Sequence, residues 1–166
     1  MAVILIQVNG ARLEEVAPPE HIEAGGKGPR YCDDPVENHQ YINGGDYWEQ
    51  EGFGRRNAWE TAISGDYVLL YSTSDVHEDW GASLSHVLRI DEKEIDEQGA
   101  RLFFDNCLEL HPKIRYQEIQ EKIGTGEFSK RMRYCGQEGF NIAQVTSKDL
   151  ETVRRSTETD LADLTN

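Results

Sequence analysis

Residues 41–90 hold all three tryptophans of the chain, Trp48, Trp59 and Trp80, and two of its five histidines, His77 and His86. They flank the clearest strand signal in the sequence, Asp66 to Ser72, introduced by Ser64-Gly65. Large flat side chains gathered beside one strand of a polar chain do one of two things. They build a small core, or they form a cage in which a flat ligand stacks. Trp59 and Ile63 stand four apart on a short amphipathic helix expected over 55–63, which directs Trp59 to the core. Trp48 sits among glycines and polar residues and suits either role. Trp80 follows His77-Glu78-Asp79 and is expected to be partly exposed, where an indole marks a binding surface.

The cations are few, with 17 Lys and Arg against 31 Asp and Glu, so their clustering counts. Lys130, Arg131 and Arg133 fall within four positions and Arg55-Arg56 precede the Trp59 helix; these are the natural phosphate contacts, or else solvated turns that offset nearby acids. His77, Asp79 and His86 lack metal-ligand spacing, and a structural histidine with satisfied hydrogen bonds is the simpler reading of His86. Cys32, Cys107 and Cys135 are odd in number and form no CxxC pair, which argues against a disulfide framework or a zinc ribbon. GGKGPR at 25–30 lacks the GxxxxGK[ST] pattern of a phosphate loop. No GxSxG, HExxH or local Cys-His pattern points to catalysis, and no cofactor or metal is implied.

The elements that must position these residues follow from periodicity. Ala2–Val8 is a short apolar run that reads as a buried first strand, ended by Asn9-Gly10. Residues 18–47, with four of the five prolines, are too rich in breakers for a regular element. After the strand at 66–72, Ala82–Ile90 predicts another, then a charged turn or short helix over 91–99. Arg101–Leu110 predicts a third long strand, ended by His111-Pro112. Tyr116, Ile119 and Ile123 recur at helical spacing, a second short helix is expected within 125–132, and 140–145 reads as the final strand. Ser147 resembles the N-cap of SKDLETVRR. Strands interspersed with short helices, without regular βαβ alternation, predict an α+β fold: a small mixed β-barrel of about five to six strands with peripheral short helices.

At 166 residues and 37% hydrophobic content, the chain suits one domain with a modest core. It has no run of 18 apolar residues and no signal peptide, so a cytoplasmic protein without a membrane partner is expected. The net charge of −14 repels nucleic acid at long range. Abundant, evenly spread acids with few lysines also fit a halophilic source, where salt screens the field within roughly 3 Å at 1 M.

The run NAWETAISGDYVLLYS with Trp48 before it and the strand to Ile90 after it resembles the EVE domain, a relative of the YTH domain in the PUA-like superfamily. LHPKIRYQEI and FSKRMRYCGQEGFNIAQVTSKDLETV resemble its closing part, with the basic R-x-x-G turn at Arg133–Gly136. The resemblance covers most of residues 2–155, leaving 156–166 as a flexible tail or the start of a linker, and the 18–47 insertion departs from compact members. It implies a PUA-like, non-catalytic domain that binds DNA or RNA and holds one flipped, modified base in an aromatic cage. By position Trp48 resembles the cage tryptophan, Tyr71 and Ser72 the pocket-lining end of the central strand, and Trp80 the opposite wall. Asn43 and Asp46 would read the base edge. Such a domain can also serve as the recognition module of a fused or associated nuclease or motor. The alternative is a small-molecule-binding or accessory PUA-like domain that binds no nucleic acid.

Overall fold

The structure is a computed structural model describing residues 2–8, 40–43, 65–75, 80–96, 99–137 and 142–161. Among these residues six strands form one mixed sheet in the order β2-β5-β4-β3-β1-β6. They are β1 (Val3–Val8), β2 (Gln40–Asn43), β3 (Tyr67–Ser72), β4 (Ser83–Asp96), β5 (Gly99–Arg115) and β6 (Ile142–Val145). Helix α1 (Tyr116–Gly124), a 3-10 helix (Lys130–Tyr134) and helix α2 (Ser147–Ser156) complete the described fold. The expected α+β class is observed, but the expected barrel is not closed. β2 and β6 stand at the two edges, and no pairing between them occurs among the described residues.

Inside the sheet runs the parallel pair β1–β3, in register from Val3 opposite Tyr67 to Val8 opposite Ser72. VILIQV and YVLLYS are almost unbroken apolar runs because alternate residues face opposite sides and both sides are buried. Val3, Leu5, Tyr67, Leu69 and Tyr71 face one core, shared with Leu84 and Val87 of β4, Ile119 of α1, Met132, and Leu150 and Val153 of α2. Ile4, Ile6, Val68, Leu70 and Leu88 are buried on the opposite face.

Several expected boundaries move. Over its described residues the charged stretch 91–99 is strand: β4 runs through it to Asp96, which pairs with Gly99. Pairing with β5 overrides the poor strand propensity of DEKEID. β5 likewise continues past His111-Pro112 to Arg115. It does so by bulging: His86 opposes Glu109 while Leu84 opposes Ile114, so residues 110–113 lie outside the regular ladder. Proline has no N–H to contribute to a ladder, and this bulge asks for none there. The short helix expected within 125–132 is the 3-10 helix at Lys130–Tyr134. The N-cap of α2 is Thr146 rather than Ser147; its hydroxyl accepts from Asp149 N, and the Asp149 carboxylate accepts from Thr146 N in return. Of the helically spaced trio, Ile119 is buried, Ile123 half-buried and Tyr116 exposed. The helix expected at 55–63 lies outside the described residues.

Asp149 also holds the 3-10 helix in place. Its carboxylate accepts from Ser129 N and Ser129 Oγ, each at 2.7 Å, and from Thr146 Oγ1 at 2.8 Å. One fully buried acid thus joins the start of the 3-10 helix to the start of α2.

Beyond α2, where a flexible tail was expected, residues 157–161 dock on the β5 bulge. Thr157 Oγ1 donates to His111 O at 3.0 Å and Glu158 N to the same oxygen at 2.8 Å. Thr159 Oγ1 accepts from His111 N at 2.9 Å and donates to Glu109 O at 3.0 Å. The tail supplies partners for the bulged backbone at Glu109 and His111. Leu161, only 2% exposed, anchors it in the core. Leu161→Ala should therefore cost about 2–4 kcal/mol in urea unfolding, in the range for a buried leucine. Truncation after Arg155 should cost more; unchanged midpoints for both variants would refute this docking.

Candidate functional site

The sheet end formed by the C-termini of β1 and β3 and the N-terminus of β4 carries an unusual density of buried polar groups. Ser72, Ser83 and Ser85 are fully buried and His86 is 3% exposed. A bulge gathers them: Leu70 opposes His86 but Tyr71 opposes Leu84, so Ser85 is the extra residue of β4. Ser85 Oγ lies 2.8 Å from Ser72 Oγ and 2.8 Å from His86 Nδ1, and donates to Leu70 O at 3.4 Å. A hydroxyl has one proton and two lone pairs, so donation to Leu70 O leaves it accepting from Ser72 and from His86 Nδ1–H. Ser83, opposite Ser72, is the exception. Its buried Oγ has no hydrogen-bond partner among the described residues.

Trp80 lies half-buried beside this cluster, its ring 4.8 Å from that of His86 at 68°, an edge-to-face contact. Lys113, folded back by the β5 bulge, places Nζ 5.7 Å from the Trp80 ring centroid. The same ammonium donates to Glu109 Oε1 and Leu110 O, both at 2.9 Å. Burial raises the Glu109 carboxyl, but the Lys113 hydrogen bond and charge, aided by His86 and His111, outweigh it and hold its pKa below the ordinary value.

The opposite side of the same sheet end is built around Gln7. This buried amide accepts from Gly136 N at 2.7 Å and donates to Gln137 O at 3.0 Å, clamping the turn after the 3-10 helix to the end of β1. Tyr71 lies beneath that turn, 1% exposed, with its phenol pushed up by burial and then by the neighbouring Cys135 and Tyr116. Cys135 is a free buried thiol, raised by burial and by the charge of Asp149, which suits an inert core group.

The sequence-derived residues therefore separate. Ser72 and Trp80 share the serine–histidine side. Tyr71, one residue from Ser72, faces the other core, as strand alternation demands, so Tyr71 and Ser72 do not line one pocket. Asn43 pairs with Arg101, which pairs with Glu94. Glu94 is 94 − 83 = 11 residues along β4 from Ser83, or roughly 35 Å at the rise of a strand, so Asn43 belongs to the far end of the sheet. Lys130, Arg131 and Arg133 are exposed on the 3-10 helix. Arg131 Nη1 donates to Gln144 O at 3.2 Å, and the Arg133 guanidinium lies 5.2 Å from the Tyr134 ring centroid. Asp46, Trp48, Arg55 and Arg56 lie outside the described residues, as do His77 and Asp79. No group of three or more His, Cys, Asp or Glu suited to a metal ion occurs among the described residues.

Sequence reading missed Ser83, Ser85, Lys113 and Arg115. Two serines in alternate positions of a strand otherwise buried on both faces were a legible signal. The bulge that turns Lys113 toward Trp80 was not. Arg115 is exposed at the end of β5 and its Nη1 donates to Trp80 O.

No protein-family model and no curated protein matches the chain. Among solved structures, it resembles human THYN1 in complex with 5-methylcytosine containing DNA, with a TM-score of 0.55 at 13% identity, over 96% of this chain and 99% of that one. It also resembles Rpa0253 from Rhodopseudomonas palustris, solved by NMR, with a TM-score of 0.56 at 11% identity, over 93% and 92% of the two chains. These are likenesses of fold. No helix among the described residues is long and apolar enough to cross a membrane.

Two stability results should follow from this geometry. Ser85→Ala strands the Ser72 hydroxyl and His86 Nδ1 and should cost about 1–3 kcal/mol, whereas Ser83→Ala removes an unpartnered hydroxyl and should be neutral or stabilising. Equal losses for the two variants in urea unfolding would contradict the assigned network. Because Glu109 has a depressed folded-state pKa, its contribution is present above the ordinary carboxylate range and lost as pH falls through the folded-state value. Glu109→Gln should flatten the acid limb of stability against pH, and an unchanged acid limb would rule that contribution out.

Proposed function

We propose that this chain is a non-catalytic nucleic-acid-binding domain of the EVE, PUA-like type that reads a flipped, modified base. The observation that carries the reading is the fold likeness to a protein crystallised on 5-methylcytosine containing DNA, which spans nearly the whole of both chains. The buried site agrees with it in kind. An extruded base needs an aromatic plane to replace its lost stacking and fixed polar groups to meet its edge. Trp80 offers the plane, and Ser72 and Ser83 stand beside it on the same side of the sheet; Trp48 is the proposed second wall and Asp46 a proposed edge reader. Tyr71 is left out of the cage because its ring is committed to the other core. A methyl group on the base adds roughly 0.8 kcal/mol when it leaves water, on top of about 1–3 kcal/mol for stacking one base. The phosphates would meet Lys130, Arg131 and Arg133, with Arg55 and Arg56 proposed alongside.

The net charge of −14 supports a second reading, in which the same site takes a small flat molecule without a phosphate backbone. Fluorescence titration separates the two. Oligonucleotides carrying methylated cytosine should quench tryptophan emission at lower concentration than unmodified ones. Trp80→Ala should weaken binding by roughly 5- to 100-fold while leaving the fold intact. Response to free nucleosides but to no oligonucleotide would favour the small-molecule reading, and silence toward both would sink the cage.

A further inference from the structure

Tyr116 is 43% exposed, the one large hydrophobic side chain that stands out from the surface among the described residues. It is held rather than loose. Tyr116 N donates to Ala82 O at 3.0 Å, fixing the first residue of α1 to the strand that follows Trp80. Its ring lies against the backbone of Gly136, where an added Cβ would come within 2.9 Å of Cε2 and 3.1 Å of Cδ2. Gly136 has φ +81°, so glycine is required there twice over, for the turn and for the ring. The Gln7 amide then locks that turn from below.

Two exposed arginines belong to the segments that hold this ring, Arg115 directly before it and Arg133 three residues before Gly136. Arg115 reaches back to Trp80 O, so the platform is continuous with the Trp80 site. Arg133, in the turn that ends at Gly136, is exposed above Tyr134. A held, exposed aromatic ring with arginines on the segments that seat it, on a chain otherwise dominated by acids, is a combination that can stack a base and hold its phosphates.

We infer that Tyr116, seated on Gly136 and directly preceded by Arg115, with Arg133 on the segment that ends at Gly136, is a stacking platform for the nucleotide adjoining the base read at Trp80. The inference rests on the nucleic-acid reading above and adds to it a second contact point along the strand. It gives a role to the exposed tyrosine that opens α1. It also places Arg133 of the R-x-x-G turn and its glycine in one device: the arginine for phosphate, the glycine as the seat of the ring.

The test compares the intact protein with Tyr116→Phe, Tyr116→Leu and Arg133→Ala. Probes are a methylated single-stranded oligonucleotide of about ten nucleotides, within the site size of such grooves, and 5-methyl-deoxycytidine monophosphate. Tyr116→Phe keeps the ring and should bind the oligonucleotide within about twofold of the parent; Tyr116→Leu keeps bulk and helix propensity but not the flat face and should lose roughly 5- to 100-fold. The monophosphate, which has no adjoining nucleotide, should bind both variants as it binds the parent. Arg133→Ala should reduce the slope of affinity against salt by about one contact, and Tyr116→Leu should leave that slope alone. Oligonucleotide binding by the parent with no loss in Tyr116→Leu overturns the platform while leaving the proposed function standing. An equal loss for the monophosphate overturns it too, since Tyr116 would then belong to the base pocket. If the parent binds neither probe, the proposed function falls and the platform with it.

Discussion

The burial of both faces of β1–β3 is the constraint on which the rest of this structure depends. A strand pair with no solvent side cannot leave a polar group unpaired without a cost of a few kcal/mol, so every departure from an apolar side chain there needs a dedicated partner. Gln7 ends β1 and spends its amide on the backbone of residues 136 and 137. Asp66, buried just ahead of β3, accepts from Ala2 N at 3.0 Å. Ser72 ends β3 and meets Ser85. Among them, Gln7 ties to the sheet the turn that seats the exposed Tyr116.

Two bulges convert the regular sheet into a site. The extra residue at Ser85 brings a hydroxyl, His86 and Trp80 to one side of β4. The larger bulge at 110–113 folds Lys113 back over Glu109 and toward Trp80, and the tail through Leu161 closes over its outer edge. Bulges are common where a side chain must be re-aimed. Here they aim groups from neighbouring strands at the same end of the sheet.

The charge of the chain sets the terms on which it meets a partner. With 31 acids against 17 cations, long-range attraction to a polyanion is absent, and the affinity has to come from close contact. Flat rings at fixed positions supply that contact at small entropic cost, because they are already held. Trp80 is braced by His86, Tyr116 by Gly136 and Ala82. In the proposed function, Arg115 and Arg133 would act locally, by close contact rather than as a field.

Much of the framework was determined by the sequence alone. The apolar runs at 3–8 and 67–72, the strand entering at 83, the helix after 115 and the final strand-helix unit are local patterns of period and capping, and local patterns survive folding. The α+β character of the chain was legible from the order of those pieces. Tertiary structure decided what depends on register. DEKEID is a strand because β5 lies opposite, β5 passes a proline because a bulge and a docked tail absorb it, and the sheet is open. Tyr71 and Ser72 are neighbours in sequence and strangers in space, since a strand sends alternate side chains to opposite faces. Asn43 lies far from Trp80 because pairing, not sequence order, fixes its position along the sheet. Tyr116 shares helical spacing with Ile119 and Ile123, but its ring packs on Gly136, twenty residues later, a contact that only the fold supplies.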